Sequence, residues 1–257
     1  MIKQLFETQR PLMIAGIVSM IFGLITAVLI VVDGTEILGI NRWIKPMKFF
    51  LSIAIFLWTI AVYLYYLKGQ ERFSSVVSWI LIVVMSIEMI AIVGQALRGT
   101  TSHFNVGDPL NGMIFGIMGI AIVISSLTVV TVTIQFFRSE IDLPSSIVLG
   151  MRLGLIIFIL GSIEGGYMVT HLGHTVGAPD GGPGLPLTNW STAAGDLRIA
   201  HFAGLHAIQV LPLAGLIEHK VIDAKSSLLT GLCAVAYLVF FVLVLVQALM
   251  GRPLIAL

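Results

Sequence analysis

Charged residues are scarce in this sequence, and their scarcity excludes most classes of water-soluble protein. Only 11% of the 257 residues are charged, 58% are hydrophobic, and the mean hydropathy is +1.04. A chain with so little polar surface cannot cover a globule in water, so lipid must be its main solvent. The net charge of +1 also excludes nucleic-acid binding that depends on bulk basicity.

Cysteine is almost missing, and long polar segments are missing as well. The single cysteine, Cys233, excludes an intrachain disulfide and leaves the redox compartment open. A helix needs about 20 mostly apolar residues to cross the hydrocarbon core of a bilayer. Seven stretches meet that length, at residues 11–32, 44–66, 74–97, 112–136, 146–171, 198–217 and 227–250.

These stretches use nearly the whole chain and leave no room for a separate soluble domain. We therefore predict an all-α, polytopic membrane protein: one integral membrane domain of residues 1–257 that forms a bundle of seven transmembrane helices. The longest connection lies between the fifth and sixth helices and is rich in glycine and proline from Gly177 to Pro186. These residues favour turns, so we expect a folded extramembrane loop that covers the helix ends.

The distribution of cations favours one orientation by a small excess. Eight of the fourteen Lys and Arg residues lie on the side of the N-terminus: Lys3, Arg10, Lys68, Arg72, Arg138, Arg152, Lys220 and Lys225. The other six lie on the opposite side. The positive-inside rule then places the N-terminus in the cytoplasm and the C-terminus outside a plasma (inner) membrane.

Two acidic residues lie inside apolar helices and are the sharpest functional signals. Glu88 follows Ser86-Ile87 in the third span, and Glu164 follows Ser162-Ile163 in the fifth. An ionisable side chain within a span is costly and indicates a functional site. The structural alternative is a protonated glutamate that is hydrogen-bonded to a neighbouring helix.

Histidines gather on one membrane side. Five of the six lie on the side opposite the N-terminus, whichever way the chain is inserted: His103, His171, His174, His201 and His206. Helical spacing also aligns polar residues in two stripes, with Glu88 and Gln95 on one and Glu164, Tyr167, His171 and His174 on the other.

If the helices are neighbours, the polar residues form two layers. The upper layer holds Gln95, His171 and His201, and the lower layer holds Glu88, Glu164, His206 and Gln209. Cations border the same side of the membrane: Lys45, Lys48, Arg98 and Arg198. These cations could hold an anionic group such as haem propionates. The alternative is that their long side chains reach the membrane surface.

Three classes of function remain open. The first is a membrane redox protein or metalloenzyme that binds haem b or a transition metal ion. Its metal ligands would be His171, His174, His201 and His206; its catalytic residues would be Glu88, Gln95, Glu164 and Tyr167; and its cofactor would be bound by Lys45, Lys48, Arg98, His103 and Arg198. Such a protein would act on a quinone or on another small anionic or lipid-soluble substrate.

The second class is a transporter that is coupled to protons or cations through Glu88 and Glu164. The third is a structural or assembly subunit whose polar cluster serves helix association. The substrate and the oligomeric state do not follow from the sequence.

Overall fold

Helices make up 74% of the computed structural model, which describes residues 2–222 and 227–256. Seven helices of the described residues are long and apolar enough to span a membrane, which confirms the predicted all-α, multi-pass fold. They are α2 (Arg10–Val32), α3 (Ile44–Tyr66), α4 (Glu71–Leu97), α5 (Pro109–Arg138), α6 (Ser145–His171), α7 (Leu197–Ile217) and α8 (Leu228–Leu249). A short helix, α1 (Ile2–Thr8), precedes them, and a π-helical turn, Glu218–Ile222, follows α7.

The helix bounds lie within three residues of the apolar stretches in the sequence. The largest differences are at the N-termini of α4 and α5, which begin at Glu71 and Pro109. Hydropathy marks the residues that face lipid, whereas a helix continues into the polar surface region of the membrane. Lys225, one of the cations on the N-terminal side, lies outside the described residues.

The chain divides into two compact units, Met1–Val132 and Thr133–Leu257, and the division falls within α5. In the first unit, α2 packs along α3, and α3 also contacts α4. The connection from α2 to α3 contains a two-residue antiparallel ladder of β1 (Glu36–Ile37) and β2 (Ile40–Asn41).

The second unit is built around the antiparallel pair of α6 and α7, with α8 packed against both. α6 ends at His171, where Leu172 adopts the left-handed conformation with φ of 54°. The connection that follows contains β3 (Thr175–Val176), which pairs antiparallel with β4 (Gly195–Asp196). Asp196 then caps α7 by accepting a hydrogen bond from the backbone N–H of Arg198.

Glycines allow the backbones of α6 and α7 to touch. A Cβ atom at Gly161 would lie 2.8 Å from Cα of Gly204, and one at Gly154 would lie 2.7 Å from the carbonyl oxygen of Ala207. Small residues at a helix interface permit this approach in membranes, where van der Waals packing drives helix association. The contact fixes which residues of α6 and α7 lie at the same depth.

Candidate functional site

In the second unit, Glu164 of α6 contacts His201 of α7. This is the closest contact between ionisable side chains of the described membrane helices in that unit. The imidazole Nδ1 of His201 lies 3.2 Å from Oε2 of Glu164 and 2.9 Å from the carbonyl oxygen of Gly161. A carbonyl oxygen can only accept a hydrogen bond, so Nδ1 carries the proton and donates it to Gly161. The neutral ring therefore has its free electron pair on Nε2.

Glycine at position 165 makes room for the imidazole of His201. A Cβ atom at Gly165 would lie 2.6 Å from Cε1 of His201, so the ring rests on the bare backbone of α6. The side chain of His201 is 31% exposed, whereas that of Glu164 is 3% exposed. Within the described residues, no hydrogen-bond partner is recorded for Nε2, which leaves this atom able to accept a proton or bind a metal.

The carboxyl group of Glu164 is buried without a hydrogen-bond donor among the described residues. Its contact with His201 is an ion-pair distance rather than a hydrogen bond, because the Nδ1 proton points to Gly161. A buried carboxylate without a donor is costly. The site therefore favours either a protonated Glu164 beside a neutral His201 or an ionised Glu164 beside a protonated His201.

The predicted layers are wrong for His201, which the sequence interpretation placed above Glu164. Antiparallel helices pair residues in opposite order along the two chains. Because Gly161 meets Gly204, Glu164 lies opposite His201, three residues along each helix. Counting depth from the ends of the helices missed this pairing, since the crossing point at the glycines sets the relative height.

His206, the predicted partner of Glu164 in the lower layer, has different neighbours. It hydrogen-bonds Gln209, one helical turn further along α7. Its ring also packs on Phe202 at a centroid distance of 4.2 Å, and Phe202 in turn contacts Trp190 of the connection between α6 and α7. Of the predicted lower layer, His206 and Gln209 are therefore joined by a hydrogen bond within α7.

The residues of the predicted stripe of α6 do not share one environment: some lie on its buried face and others on its exposed face. Tyr167 is 45% exposed, and its ring stacks on His171 at a centroid distance of 6.0 Å. Nε2 of His171 lies 3.2 Å from the carbonyl oxygen of Thr175. Glu164 is turned away from both, towards α7.

His174 lies beyond the end of α6 and binds an aspartate that the sequence interpretation did not select. Its Nδ1 lies 2.7 Å from Oδ2 of Asp180, and Asp180 also accepts hydrogen bonds from Thr175. Burial opposes ionisation of Asp180, but the hydrogen bonds from His174 and Thr175 outweigh burial and hold its pKa well below the usual range. The His174–Asp180 pair holds the first residues of the connection between α6 and α7, so His174 does not continue the stripe of α6.

The four histidines predicted as metal ligands do not form a common metal site with other ligands. No three His, Cys, Asp or Glu side chains in the described part of the chain are grouped closely enough to hold a metal ion. His171, His174 and His206 have the separate neighbours described above. His201 alone pairs with a buried acid.

In the first unit, Glu88 of α4 is 1% exposed, and neither carboxylate oxygen has a hydrogen-bond partner among the described residues. The charged group that acts on it is Lys45 in the first turn of α3. The Nζ atom of Lys45 lies over the ring of Phe49, which contacts His103 edge to face at 5.7 Å. Lys48, in the second turn of α3, is half-buried.

Gln95 and Arg98 join the end of α4 to the start of α5. Nε2 of Gln95 donates to Oδ1 of Asn111 at 2.8 Å, and Arg98 donates to both Gln95 and Asn111. Asn111 is bound in turn by Asp108. The sequence analysis missed Asn111 because hydropathy excluded the first polar turn of α5 from the span.

Arg198 of the predicted cationic border and a further arginine, Arg42, each have an acidic partner close in the chain. Arg198 binds the fully buried carboxylate of Asp196. Arg42 binds Asp33, which also accepts a hydrogen bond from the indole of Trp43 at 2.7 Å. The bond from Trp43 contributes most to holding the pKa of Asp33 well below its usual range, followed by Thr35 and Arg42. An aspartate at the end of a helix, nine residues before an arginine, was the signal for this pair.

The fold and the site define a class: an integral, multi-pass membrane protein with seven candidate spans and a buried carboxyl group in each unit. The chain matches no protein-family model, no curated protein and no solved structure.

Proposed function

We propose that this chain is a proton-coupled membrane transporter and that Glu164 and His201 bind and release its proton inside the bilayer. The observation that carries the proposal is the 3.2 Å contact between Nδ1 of His201 and the buried carboxyl group of Glu164. An acid and an imidazole that touch within membrane helices are typical of proton relays. An acid and an imidazole are both costly inside the bilayer unless their charge serves a function.

The contact supports a simple proton exchange. The neutral imidazole donates Nδ1–H to Gly161, so an incoming proton binds Nε2. The imidazolium that results is stabilised by the carboxylate of Glu164. The imidazolium can then pass its Nδ1 proton across the 3.2 Å contact to Glu164, which leaves a neutral imidazole beside a protonated acid. The pair holds the same number of protons in these two states, and release of the carboxyl proton returns Glu164 to its ionised form.

Glu88 is a second carboxyl group suited to the same chemistry. It lies within a membrane helix, it is buried, and the described residues provide no hydrogen-bond donor to it. Lys45, in the first turn of α3, is a cation that interacts with it. We assign it to a second proton-binding position, in the first unit of the chain.

Infrared difference spectroscopy of the purified protein tests the proton exchange. We expect the carbonyl stretch of a protonated, buried carboxyl group to change when the pH is changed. Glu164→Gln should remove this band, and His201→Gln should change its response to pH. Glu140→Gln, which changes an exposed acid, is the matched control. A spectrum of buried carboxyl groups that does not respond to pH would overturn the proposal.

Vesicle experiments test the coupling to transport. Reconstituted protein should move protons in response to at least one member of a panel of inorganic cations, amines and carboxylates, as read by an internal pH dye. Glu164→Gln should abolish this movement, whereas Glu140→Gln should retain it. The N-terminus is expected in the cytoplasm of a plasma (inner) membrane.

A second candidate, a redox protein with haem b or a transition metal ion, is favoured by the orientation of His201. Histidines that bind metals usually donate their other N–H to a carbonyl or carboxylate, as Nδ1 does here. Haem needs only one or two protein ligands, so the lack of a three-ligand group in the described residues does not bear on it. His201 would bind the iron. Haem would supply electron transfer, for example to a quinone.

Visible spectroscopy and metal analysis separate the two candidates. A Soret band that is lost in His201→Gln would select the haem protein, and stoichiometric metal without that band would select a metalloenzyme. If the protein is expressed with haem and metals available but contains neither, the redox candidate is excluded and only the transporter remains.

A further inference from the structure

A groove lies between α2 and α4 on the surface of the first unit, and its lining is apolar except at one end. Its volume is about 380 Å³, and it is lined by Arg10, Pro11, Ile14, Ala15, Trp79 and Ile82. Trp79 is 56% exposed, so its indole forms an open wall rather than part of the core. Ala15 forms a small floor, beside which a longer side chain would take up the space.

The groove begins at the level of the membrane surface. Arg10 is the first residue of the span α2, and α4 runs parallel to α2 from Glu71. From Arg10 to Ala15 the helix descends about 7.5 Å, and from Glu71 to Ile82 it descends about 16 Å. The groove therefore extends from the headgroup region into the outer part of the hydrocarbon core.

The charge at its upper end is available to a ligand. Arg10 is exposed, and the described residues contribute no ion-pair partner to it. Lys3, another cation of this end, already pairs with Glu7. A guanidinium group binds phosphate through two parallel hydrogen bonds, which favours a phosphate over other anions.

We propose that this groove binds one anionic phospholipid, with its phosphate on Arg10 and one acyl chain between Ile14 and Trp79. Charge complementarity selects the headgroup, because one unpaired arginine stands above a lining that is otherwise apolar. The apolar walls select a chain over water. The lipid would fix α2 against α4 at the end of the unit where the helices leave a gap. This inference does not depend on the role of Glu164.

Native mass spectrometry of the full chain in detergent tests the site with two lipids that share the same acyl chains. We expect phosphatidylglycerol to be retained about fivefold more than phosphatidylcholine, which corresponds to roughly 1 kcal/mol of additional charge interaction. Arg10→Gln should remove this preference. Ala15→Phe keeps the charge and fills the groove, so it should reduce retention of both lipids.

The matched control is Arg72→Gln, which removes another exposed cation at the same end that does not line the groove. Equal losses in Arg10→Gln and Arg72→Gln would show general surface attraction and overturn the site, as would unchanged retention in Ala15→Phe. Binding of inorganic phosphate at millimolar concentration that Arg10→Gln abolishes, with lipid retention unchanged, would overturn the lipid site and indicate an ion site. A dimer mass that Ala15→Phe abolishes would assign the groove to a second copy. Thermal unfolding of each variant in detergent excludes loss of fold as the cause.

Discussion

Glu164 and Glu88 occupy similar places in two helices of equal length, yet their surroundings differ. Each follows a Ser-Ile pair, each is buried, and each lies beyond the middle of a 27-residue helix. Glu164 touches the imidazole of His201, whereas Glu88 has no hydrogen-bond partner among the described residues and is influenced by the charge of Lys45. The same local sequence thus produces a contact pair in one unit and an isolated acid in the other.

The spacing of the helices explains the difference. α6 and α7 touch through glycine backbones, which brings a short imidazole within reach of the neighbouring helix. In the first unit, α3 and α4 approach each other less closely. At α2 the glycines face large side chains, with Gly16 against Trp58 and Gly23 against Leu51. Across this wider gap, the long side chain of Lys45 can interact with the buried carboxyl group of Glu88. Backbone distance therefore decides which polar pairs a membrane helix can form.

The largest expected effect comes from separating α6 and α7. Gly161→Ala would place a Cβ atom 2.8 Å from Cα of Gly204, which cannot move without the whole helix. We expect a loss of about 2 kcal/mol of unfolding free energy, as for other overpacked sites. Denaturant unfolding in detergent measures it. Gly166→Ala is the control, since nothing lies within 4 Å of a Cβ there. Equal stability of the two variants would contradict the backbone contact.

Removal of Asp196 should have the next largest effect. Its buried carboxylate caps α7, accepts the backbone N–H of Ser191 and binds the guanidinium of Arg198. Asp196→Ala should cost about 2 kcal/mol, because it removes a cap and leaves a partly buried arginine unpaired. Thermal unfolding measures the loss. Asp196→Asn keeps an acceptor and should recover part of it. Asp33→Ala, the corresponding change beside Arg42, should cost less because that site is more exposed.

Exchange of each buried glutamate for methionine compares the two acids directly. Glu88→Met should raise stability by about 1 kcal/mol, because an apolar side chain replaces a buried acid that has no hydrogen-bond donor. Glu164→Met should give no such gain, since it leaves His201 without its acidic neighbour. Both are measured by unfolding in detergent. A gain in Glu164→Met that matches Glu88→Met would show that the contact contributes nothing to stability.

Low pH should loosen the connection between α6 and α7. Of the changes considered, we expect this one to have the smallest effect on the free energy of unfolding. The pKa of Asp180 is lowered in the folded protein, so its bonds stabilise the connection above its ordinary pKa of about 4 and are lost as the pH falls through the folded value. Hydrogen exchange of residues 172–194, relative to the intrinsic exchange rate at each pH, should therefore stay slow at pH 5 to 7 and become faster below about pH 4. Asp180→Asn should accelerate exchange at neutral pH and remove this dependence. Rapid exchange of the wild type at neutral pH would contradict the His174–Asp180 contact.

Some residues of the site were recognisable from the sequence and others were not. Glu88 and Glu164 stand out because an acid within an apolar span is costly wherever its neighbours lie. The pairing of Glu164 with His201 was not predictable, since helical periodicity gives positions on one helix and not the crossing point of two. Asp33 and Asp180 were missed for another reason. They lie in connections, where hydropathy carries no information about which backbone N–H groups need an acceptor.

The sequence by itself determined seven long apolar helices, because the thickness of the hydrocarbon core demands that length of every span. It also determined that ionisable groups lie within those helices. The tertiary structure decided the partner of each group, through the contact of Gly161 with Gly204 and through the hydrogen bonds of Asp33, Asp180 and Asp196. The physical reason is that burial in lipid depends on composition over about 20 residues, whereas a contact at 3 Å depends on the height and rotation of two helices.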